Sequence, residues 1–205
     1  MRFLKTSCSY CLTFSLFFVG LNPFLFANET SLPDTVKDTT VSIEDINGRK
    51  HTPFKLSDTK AVVLLFVTHD CPISNAYSPE LARLNEEYEA KGFNLMLVHV
   101  DPDVTNEEIQ KHVKDYGLSA YTVVSDKTHV LVQETGATVT PEAVVVLPDG
   151  TISYRGRIDN MYPTLGQRRR VITEKDLRNA LNSIIENKTV EVPRTRAVGC
   201  FMPTL

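Results

Sequence analysis

Three predominantly apolar runs constrain the fold of this chain more than any other feature. They occupy residues 61–68 (AVVLLFVT), 93–100 (FNLMLVHV) and 143–147 (AVVVL). Short runs that are rich in β-branched residues and lack alternation are typical of strands buried on both faces of a sheet. A sheet of this kind needs cover on both faces, so the runs predict an α/β fold with a central sheet as its middle layer.

Helical patterns separate these runs. Leu81, Leu84 and Tyr88 recur at helical spacing after the first run, and a proline inside this stretch should kink the helix. After the second run, Thr105 with Glu108 three residues later forms a capping-box pattern. It predicts a helix that ends near residue 116.

Turn-forming residue pairs predict two hairpins in addition to these strands and helices. An Asn-Gly pair at 47–48 predicts a small N-terminal hairpin, and an Asp-Gly pair at 149–150 should fold the third run back onto residues 151–157. A capping pattern over 173–176 predicts the start of a last helix. The order of elements predicts an α/β fold with a central mixed sheet flanked by helices and an N-terminal hairpin extension.

The N-terminal segment, residues 1–27, differs from the rest of the chain. Two basic residues precede a short apolar run over 12–21, and small Ala27 follows, a pattern typical of a secretory signal peptide cleaved after Ala27. An uncleaved anchor is the alternative, although a spanning helix needs ~20 apolar residues. Residues 28–40 are polar and are predicted to form a flexible lead-in. The predicted location is therefore secreted or periplasmic.

The composition excludes several classes of protein. The chain has 205 residues, of which 42% are hydrophobic and 23% are charged, which excludes a disordered or polytopic membrane protein. Its net charge of −3 argues against a nucleic-acid binder that works by phosphate neutralisation. The length predicts one domain, over residues 41–187, and a C-terminal tail, 188–205, that carries a cysteine.

Two of the four cysteines lie within the predicted signal peptide, which leaves Cys71 and Cys200 in a compartment where disulfides persist. Cys71 lies between the first apolar run and its helix. Free backbone N–H groups and the helix dipole stabilise a thiolate at such a position. A protonated His69 would favour ionisation of Cys71, whereas Asp70 would oppose it. The position therefore predicts a reactive thiol.

The residues around this thiol resemble a known family. The Thr68-x-x-Cys71-Pro72 junction, the following stretch NAYSPELARLNEEY, and Thr140-Pro141 just before a strand are similar to those of thioredoxin-fold proteins. Within that fold the chain resembles the redoxin branch, which includes the alkyl hydroperoxide reductase/thiol-specific antioxidant family, its peroxiredoxin-like subgroup and the TlpA/ResA-type oxidoreductases. The resemblance covers most of the domain and implies thiol-based redox chemistry.

The sequence also departs from the patterns of these relatives. Ser74 occupies the second cysteine position of a thioredoxin Cys-x-x-Cys motif, so no disulfide can form within the motif. Leu64 stands where peroxiredoxins have a proline, and Pro141 follows the thioredoxin pattern where peroxiredoxins have an arginine. Arg155 or Arg157, from a neighbouring strand, is a candidate to replace that arginine.

Two reactions are open to the Cys71 thiolate. It can attack a substrate disulfide and form a mixed disulfide, which Cys200 or an external thiol resolves. Alternatively it can attack a peroxide and become a sulfenic acid, with which Cys200 condenses. Disulfide exchange is favoured because Pro141 follows the thioredoxin pattern. The expected partners are thiol, disulfide or peroxide substrates and an external reductant, with no nucleic acid.

Further site residues follow from the resemblance. The hydroxyl groups of Thr68 and Ser74 are predicted to hydrogen-bond the sulfur or the departing atom. Pro141, if its peptide bond is cis, would present the backbone of Thr140 to an incoming substrate. Pro72, Ser74 and Thr140 are the predicted substrate-binding residues, and no cofactor or metal is expected in this role.

Non-enzymatic alternatives belong to other functional classes. A copper chaperone of this fold would need Cys71 and Cys200 together with His69 or His129, because soft thiolate ligands suit Cu(I). A redox-inactive binding module that reuses the fold is the second alternative. For Cys200 a plain tail thiol or a structural bridge to Cys71 also stays open.

Overall fold

The computed structural model describes residues 34–205, so the predicted signal peptide and residues 28–33 of the lead-in lie outside the described residues. A small hairpin comes first and confirms the prediction from the Asn-Gly turn, although its strands are short. It consists of β1 (Ile43–Glu44) and β2 (Lys50–His51).

A five-stranded mixed sheet forms the centre of the fold, as the apolar runs predicted. The strands that follow the hairpin are β3 (Ala61–Val67), β4 (Phe93–His99), β5 (Thr122–Ser125), β6 (Val139–Thr140), β7 (Glu142–Val146) and β8 (Ile152–Gly156). All except β6 join the central sheet, in the order β5-β4-β3-β7-β8. β3, β4 and β5 run parallel, whereas β7 is antiparallel to both β3 and β8.

Helices cover this sheet. They are α1 (Pro72–Ala76), α2 (Ser78–Glu89), α3 (Asn106–Asp115), α4 (Val130–Thr135) and α5 (Asp176–Ile185). All seven residues of β3 are buried. Its odd-numbered side chains pack with α2, α3 and α5 on one face. Its even-numbered ones pack on the other face with the β1 segment, Phe54 and α4. The strand is therefore buried on both faces, as its composition predicted.

Two helix boundaries differ from the sequence-based expectation. Pro79 does not kink one helix but lies in the first turn of α2, where its missing N–H leaves no hydrogen bond unmade. Tyr77 separates α1 from α2. The last helix begins at Asp176 rather than near Thr173, because the Thr173 hydroxyl accepts a hydrogen bond of 2.7 Å from Asn160 Nδ2 instead of capping a helix. The capping box at Thr105 is confirmed.

Both ends of the described chain pack onto the domain. The lead-in, expected to be flexible, is attached from Asp34 onward, since Val36 is buried and its N–H donates to the Gly150 carbonyl at 3.0 Å. The tail lies along β8, where Arg155 N–H donates to the Pro193 carbonyl at 2.9 Å. It then ends in a ninth strand, β9 (Cys200–Phe201), which pairs antiparallel with β6. Among the described residues no helix is long and apolar enough to cross a bilayer.

Candidate active site

Cys71 lies at the N-terminus of α1, immediately beyond β3. It is the N-cap residue of this helix, with φ −77° and ψ 111°, and its Sγ accepts a hydrogen bond from the Ser74 N–H at 3.5 Å. Pro72 follows in the first turn and is exposed. An amide donor at the start of a helix stabilises the anionic form of the sulfur. The predicted junction of strand, cysteine and helix is therefore present.

The tail brings the second cysteine to the first. The pairing of β9 with β6 places Cys200 opposite Thr140, whose carbonyl oxygen lies 3.2 Å from Cys71 Sγ. The thiol and N–H of Cys200 are close enough to the Cys71 sulfur to stabilise its ionised form by hydrogen bonding. Both residues are free cysteines in the structure. Two sulfurs 129 positions apart in the chain thus form one site.

The two thiols differ in acidity. Burial opposes ionisation of Cys71, but hydrogen bonds from Cys200 and from the Ser74 N–H outweigh it, so the pKa of Cys71 is lowered. Burial, the hydrogen bond to Cys71 and the charges of Cys71 and Asp70 raise the pKa of Cys200 to about 12. Of the two thiols Cys71 is therefore the one that ionises first, and Cys200 is the one that keeps its proton. The Thr140 carbonyl accepts the Cys71 proton only in the neutral form of that thiol.

Cys71, whose position predicted a reactive thiol, is buried. Only 1% of the residue is exposed, whereas Cys200 is partly exposed. Gly199 is the residue that lets the tail approach. A methyl group there would lie 2.5 Å from the Thr140 carbonyl carbon and closer still to its oxygen. Cys200 and the adjoining tail backbone therefore cover the nucleophile.

The other predicted site residues are near the sulfur but have different contacts from those expected. The Thr140–Pro141 peptide bond is cis, as predicted. The Thr68 hydroxyl lies 3.2 Å from the Thr140 hydroxyl rather than bonding the sulfur. The buried Ser74 hydroxyl makes no hydrogen bond of ordinary geometry within residues 34–205, but the Ser74 side chain lowers the pKa of Cys71 together with the Ser74 N–H, which donates to Sγ at 3.5 Å. Thr140 does present its backbone, and the tail itself pairs with it.

The arginine candidates have other partners. Arg155 Nη1 donates to the Thr135 carbonyl at 2.6 Å. Arg157 pairs with Asp176 at 2.8 Å and with Glu174. These contacts direct the guanidinium group of Arg157 to the start of α5. The sequence offered no signal for them, because Arg155 lies on β8 and Arg157 directly follows it, whereas their partners come from distant segments of the chain.

The histidines give no support to a copper site. His129 Nε2 lies 2.8 Å from the Val100 carbonyl, and His99 is fully buried. Within the described chain, the one group of three metal-ligating side chains near one another is His69, Asp70 and Asp101, which includes no cysteine. His69 Nδ1 pairs there with Asp101 at 3.3 Å. This donor set lacks the soft thiolates that Cu(I) prefers.

Comparison with solved structures finds the same fold in other proteins. The fold is shared with a hypothetical protein from Sinorhizobium meliloti (23% identity, TM-score 0.70, covering 84% of this chain and 93% of that one). It is also shared with a secreted Mycobacterium tuberculosis disulfide oxidoreductase homologous to Escherichia coli DsbE (17%, 0.52, 71% and 96%). A third neighbour is a putative thiol:disulfide interchange protein DsbE from Chlorobium tepidum (18%, 0.53, 77% and 98%). No curated protein matched the chain.

These identities establish the fold alone, which is thioredoxin-like as predicted. The family assignment comes from the sequence itself. The model of the AhpC/TSA family matches residues 30–155, more than half of the chain and the part that contains Cys71 and the cis proline. The chain therefore belongs to the AhpC/TSA family, within the redoxin group that its Thr-x-x-Cys-Pro junction indicated.

Proposed function

We propose that this protein is a thiol-disulfide oxidoreductase in which Cys71 is the attacking thiolate and Cys200 is the resolving thiol. One observation carries the proposal: the Cys200 side chain lies against the sulfur of Cys71 at the N-terminus of α1, and the two pKa values are shifted apart. A low-pKa thiolate beside a protonated second thiol is what a two-step exchange requires.

The reaction balances in two steps. The Cys71 thiolate attacks one sulfur of a substrate disulfide, and the other sulfur leaves as a thiolate that takes a proton from water. Cys200 then loses its proton to solvent and attacks Cys71 Sγ in the mixed disulfide, which releases the second substrate thiolate. Two electrons pass from the protein to the substrate. An external dithiol restores the pair by the reverse exchange.

Substrate capture needs the tail to leave β6. Cys71 is 1% exposed while β9 is paired, and the backbone of Thr140 is then occupied by Cys200. Release of β9 exposes both the thiolate and the β6 backbone, which is where an extended substrate segment can add as a strand. Return of β9 brings Cys200 back for the second step. Pro72, exposed in the first turn of α1, borders the opened site.

Peroxide reduction is a second candidate because Thr68 stands three residues before Cys71, the spacing that the peroxiredoxin resemblance implies. In that reaction Cys71 would become a sulfenic acid and condense with Cys200, with loss of water. The proposal favours disulfide exchange, since the Thr68 hydroxyl is engaged with Thr140 and the pKa of Cys71 is set by Cys200 and Ser74.

We further propose an exported protein. Residues 1–27 would be a signal peptide, 28–40 a lead-in, 41–187 the redox domain and 188–205 the tail with the resolving thiol. Export suits the chemistry, because a disulfide between Cys71 and Cys200 persists in an oxidising compartment. Mass spectrometry of the protein isolated from its host, with an N-terminus at Asn28, is the expected result; retention of Met1 would contradict cleavage.

The test of the activity uses three proteins: wild type, Cys71→Ser and Cys200→Ser. Wild type should catalyse insulin reduction with an added dithiol, and Cys71→Ser should lose this activity. Cys200→Ser should instead accumulate a mixed disulfide on Cys71, detected by mass spectrometry. Exchange at the wild-type rate in Cys71→Ser would refute the proposal. Rapid dimedone labelling of Cys71 in Cys200→Ser after peroxide, without insulin reduction by wild type, would establish the peroxidase instead.

A further inference from the structure

The loop between β8 and α5 presents an arginine run beside a groove. Arg168, Arg169 and Arg170 are consecutive and exposed, and Lys175 at the start of α5 is exposed as well. None of these four side chains forms an ion pair with any of residues 34–205. The hollow bordered by Arg168, Arg169, Arg170 and Lys175 is called the basic groove below.

The acidic residues closest to the basic groove already have partners. Arg157 engages Glu174 and Asp176, which flank Lys175 in the sequence. Glu80 is paired with Arg83 at 2.7 Å and with Arg178 at 2.6 Å. Asp159, which also lines the hollow, is buried and accepts hydrogen bonds from the Tyr77 hydroxyl and the Met161 N–H, both at 2.8 Å. The arginine run therefore has no ion-pair partner within the described part of the chain.

The basic groove is concave and partly apolar. One hollow of about 610 Å³ is lined by Ala76, Met161 and Ile172 together with Arg168 and Lys175. A second, of about 510 Å³, shares Met161, Arg168 and Ile172 and adds the remaining arginines. Volumes of this size lie within the range of ligand clefts, roughly 300–1,000 Å³. A bilayer surface is flat and needs no such hollow, whereas an extended peptide segment fits one.

The loop that carries the arginines is held in place. Asn160 is 1% exposed; its Nδ2 donates to the Thr173 hydroxyl and its Oδ1 accepts from the Thr173 N–H. The Arg169 N–H donates to the Met161 carbonyl at 2.8 Å. A fixed loop loses little conformational freedom when a partner binds, which lowers the cost of binding. The arginine run is thus a preorganised surface rather than a mobile segment.

The basic groove borders the helix that starts at Cys71. Ala76 is the last residue of α1 and lines the groove. It is five positions after Cys71, about 7.5 Å along a helix axis at 1.5 Å per residue. A segment bound in the groove is therefore held within reach of the thiol site.

We propose that the basic groove binds an acidic segment with interspersed apolar residues, carried by the protein with which Cys71 exchanges disulfides. The carboxylates meet Arg168–Arg170 and Lys175, and the apolar side chains meet Met161 and Ile172. The binding itself needs no thiol chemistry; only the identification of the partner as a redox partner rests on the proposed function. Complementary charge of this kind sets specificity and the rate of encounter.

Binding is tested with a fluorescent peptide of alternating glutamate and leucine, measured by anisotropy on the full chain with Cys71→Ser, so that no disulfide forms. The triple variant R168Q/R169Q/R170Q should bind at least about tenfold more weakly, and added salt should weaken wild-type binding. The control R49Q/K55Q/K114Q removes the same charge from exposed positions outside the groove and should bind as wild type does. A peptide with glutamine in place of glutamate should not bind.

Equal binding by the groove triple and its control, or by both peptides, would overturn the proposal. Sedimentation with phosphatidylglycerol vesicles that is lost in the groove triple, without peptide binding, would overturn it in favour of a membrane surface. With active Cys71, the groove triple should reduce a peptide disulfide with an acidic tail about tenfold more slowly and hydroxyethyl disulfide at the wild-type rate. Wild-type inactivity on both disulfides would refute the exchange activity and leave the binding result standing.

Discussion

The contact between the tail and β6 can be broken at a single residue, Gly199. The substitution Gly199→Ala places a methyl group 2.5 Å from the Thr140 carbonyl carbon and 3.1 Å from Pro141 N. Carbon atoms in van der Waals contact lie about 3.5–4.0 Å apart, so the overlap is roughly 1 Å. The obstacle is backbone on both sides, which cannot rotate away. We expect β9 to leave β6 and to carry Cys200 away from Cys71.

The size of the effect follows from the pairing that is lost. Two residues of the tail pair with β6, and each net backbone hydrogen bond contributes about 0.5–1.5 kcal/mol. Loss of about two such bonds, roughly 2 kcal/mol, lowers the ratio of docked to released tail about thirtyfold, since 1.4 kcal/mol corresponds to a factor of ten. The effective concentration of Cys200 at Cys71 falls by the same factor.

The assay is the redox equilibrium of the cysteine pair. Wild type and Gly199→Ala are equilibrated in glutathione buffers, quenched in acid and alkylated, and the Cys71–Cys200 disulfide is quantified by mass spectrometry. We expect the equilibrium constant to fall about thirtyfold and iodoacetamide to reach Cys71 faster. Phe201→Ala is the control, because this side chain is 84% exposed and its loss leaves the backbone pairing intact. An equilibrium constant within about twofold of wild type would refute the reasoning.

Three further results are expected. Cys200→Ala should raise the pKa of Cys71 by removing a hydrogen-bond donor, and Cys200→Ser should raise it less, as measured by alkylation rate against pH; a fall in the alanine variant would contradict this. Leu84→Ala should lower the free energy of unfolding by about 2–5 kcal/mol in urea denaturation, because Leu84 is fully buried between α2 and the sheet. Burial lowers the pKa of His99 to about 3, so protonation below its unfolded value of about 6.5 favours the unfolded state. Stability should therefore fall by roughly 1.4 kcal/mol per pH unit more in wild type than in His99→Leu, and parallel pH profiles would contradict this.

Most of the sheet could be predicted because the composition of each strand is by itself enough to indicate a buried strand. The run over 61–68 has no polar residue until its end, and a strand must be covered on both faces to bury all of its side chains. The box at Thr105 was equally local, since both partners lie within four residues. The predicted helix start at Thr173 was wrong because the Thr173 hydroxyl can either cap a helix or bind another side chain. The contact with Asn160, thirteen residues away in the sequence, decided between the two.

The position of the nucleophile could be predicted, but its surroundings could not. Cys71 is fixed by the strand that ends before it and the helix that begins after it, both local signals. Cys200 meets it through two-residue strands and a glycine, which carry no periodicity. The prediction for Arg157 was missed for a related reason: its partner Glu174 lies on a loop whose path depends on buried Asn160. Long-range pairing through short irregular segments leaves almost no trace in a sequence.

The two cysteines differ in both exposure and pKa, and this difference sets the sequence of steps in the proposed exchange. The sulfur with the lowered pKa is covered, and the sulfur with the raised pKa is the more exposed one. An incoming disulfide therefore meets a poor nucleophile first, since a thiol with a pKa of about 12 is almost fully protonated near neutrality. Reaction waits for release of β9, and substrate competes with the tail for the β6 backbone. Because redocking of β9 both expels the substrate segment and returns Cys200, the same movement ends binding and starts resolution. A tail held away from β6 should then capture substrate faster and release product more slowly, so that the mixed disulfide on Cys71 accumulates in Gly199→Ala as it does in Cys200→Ser.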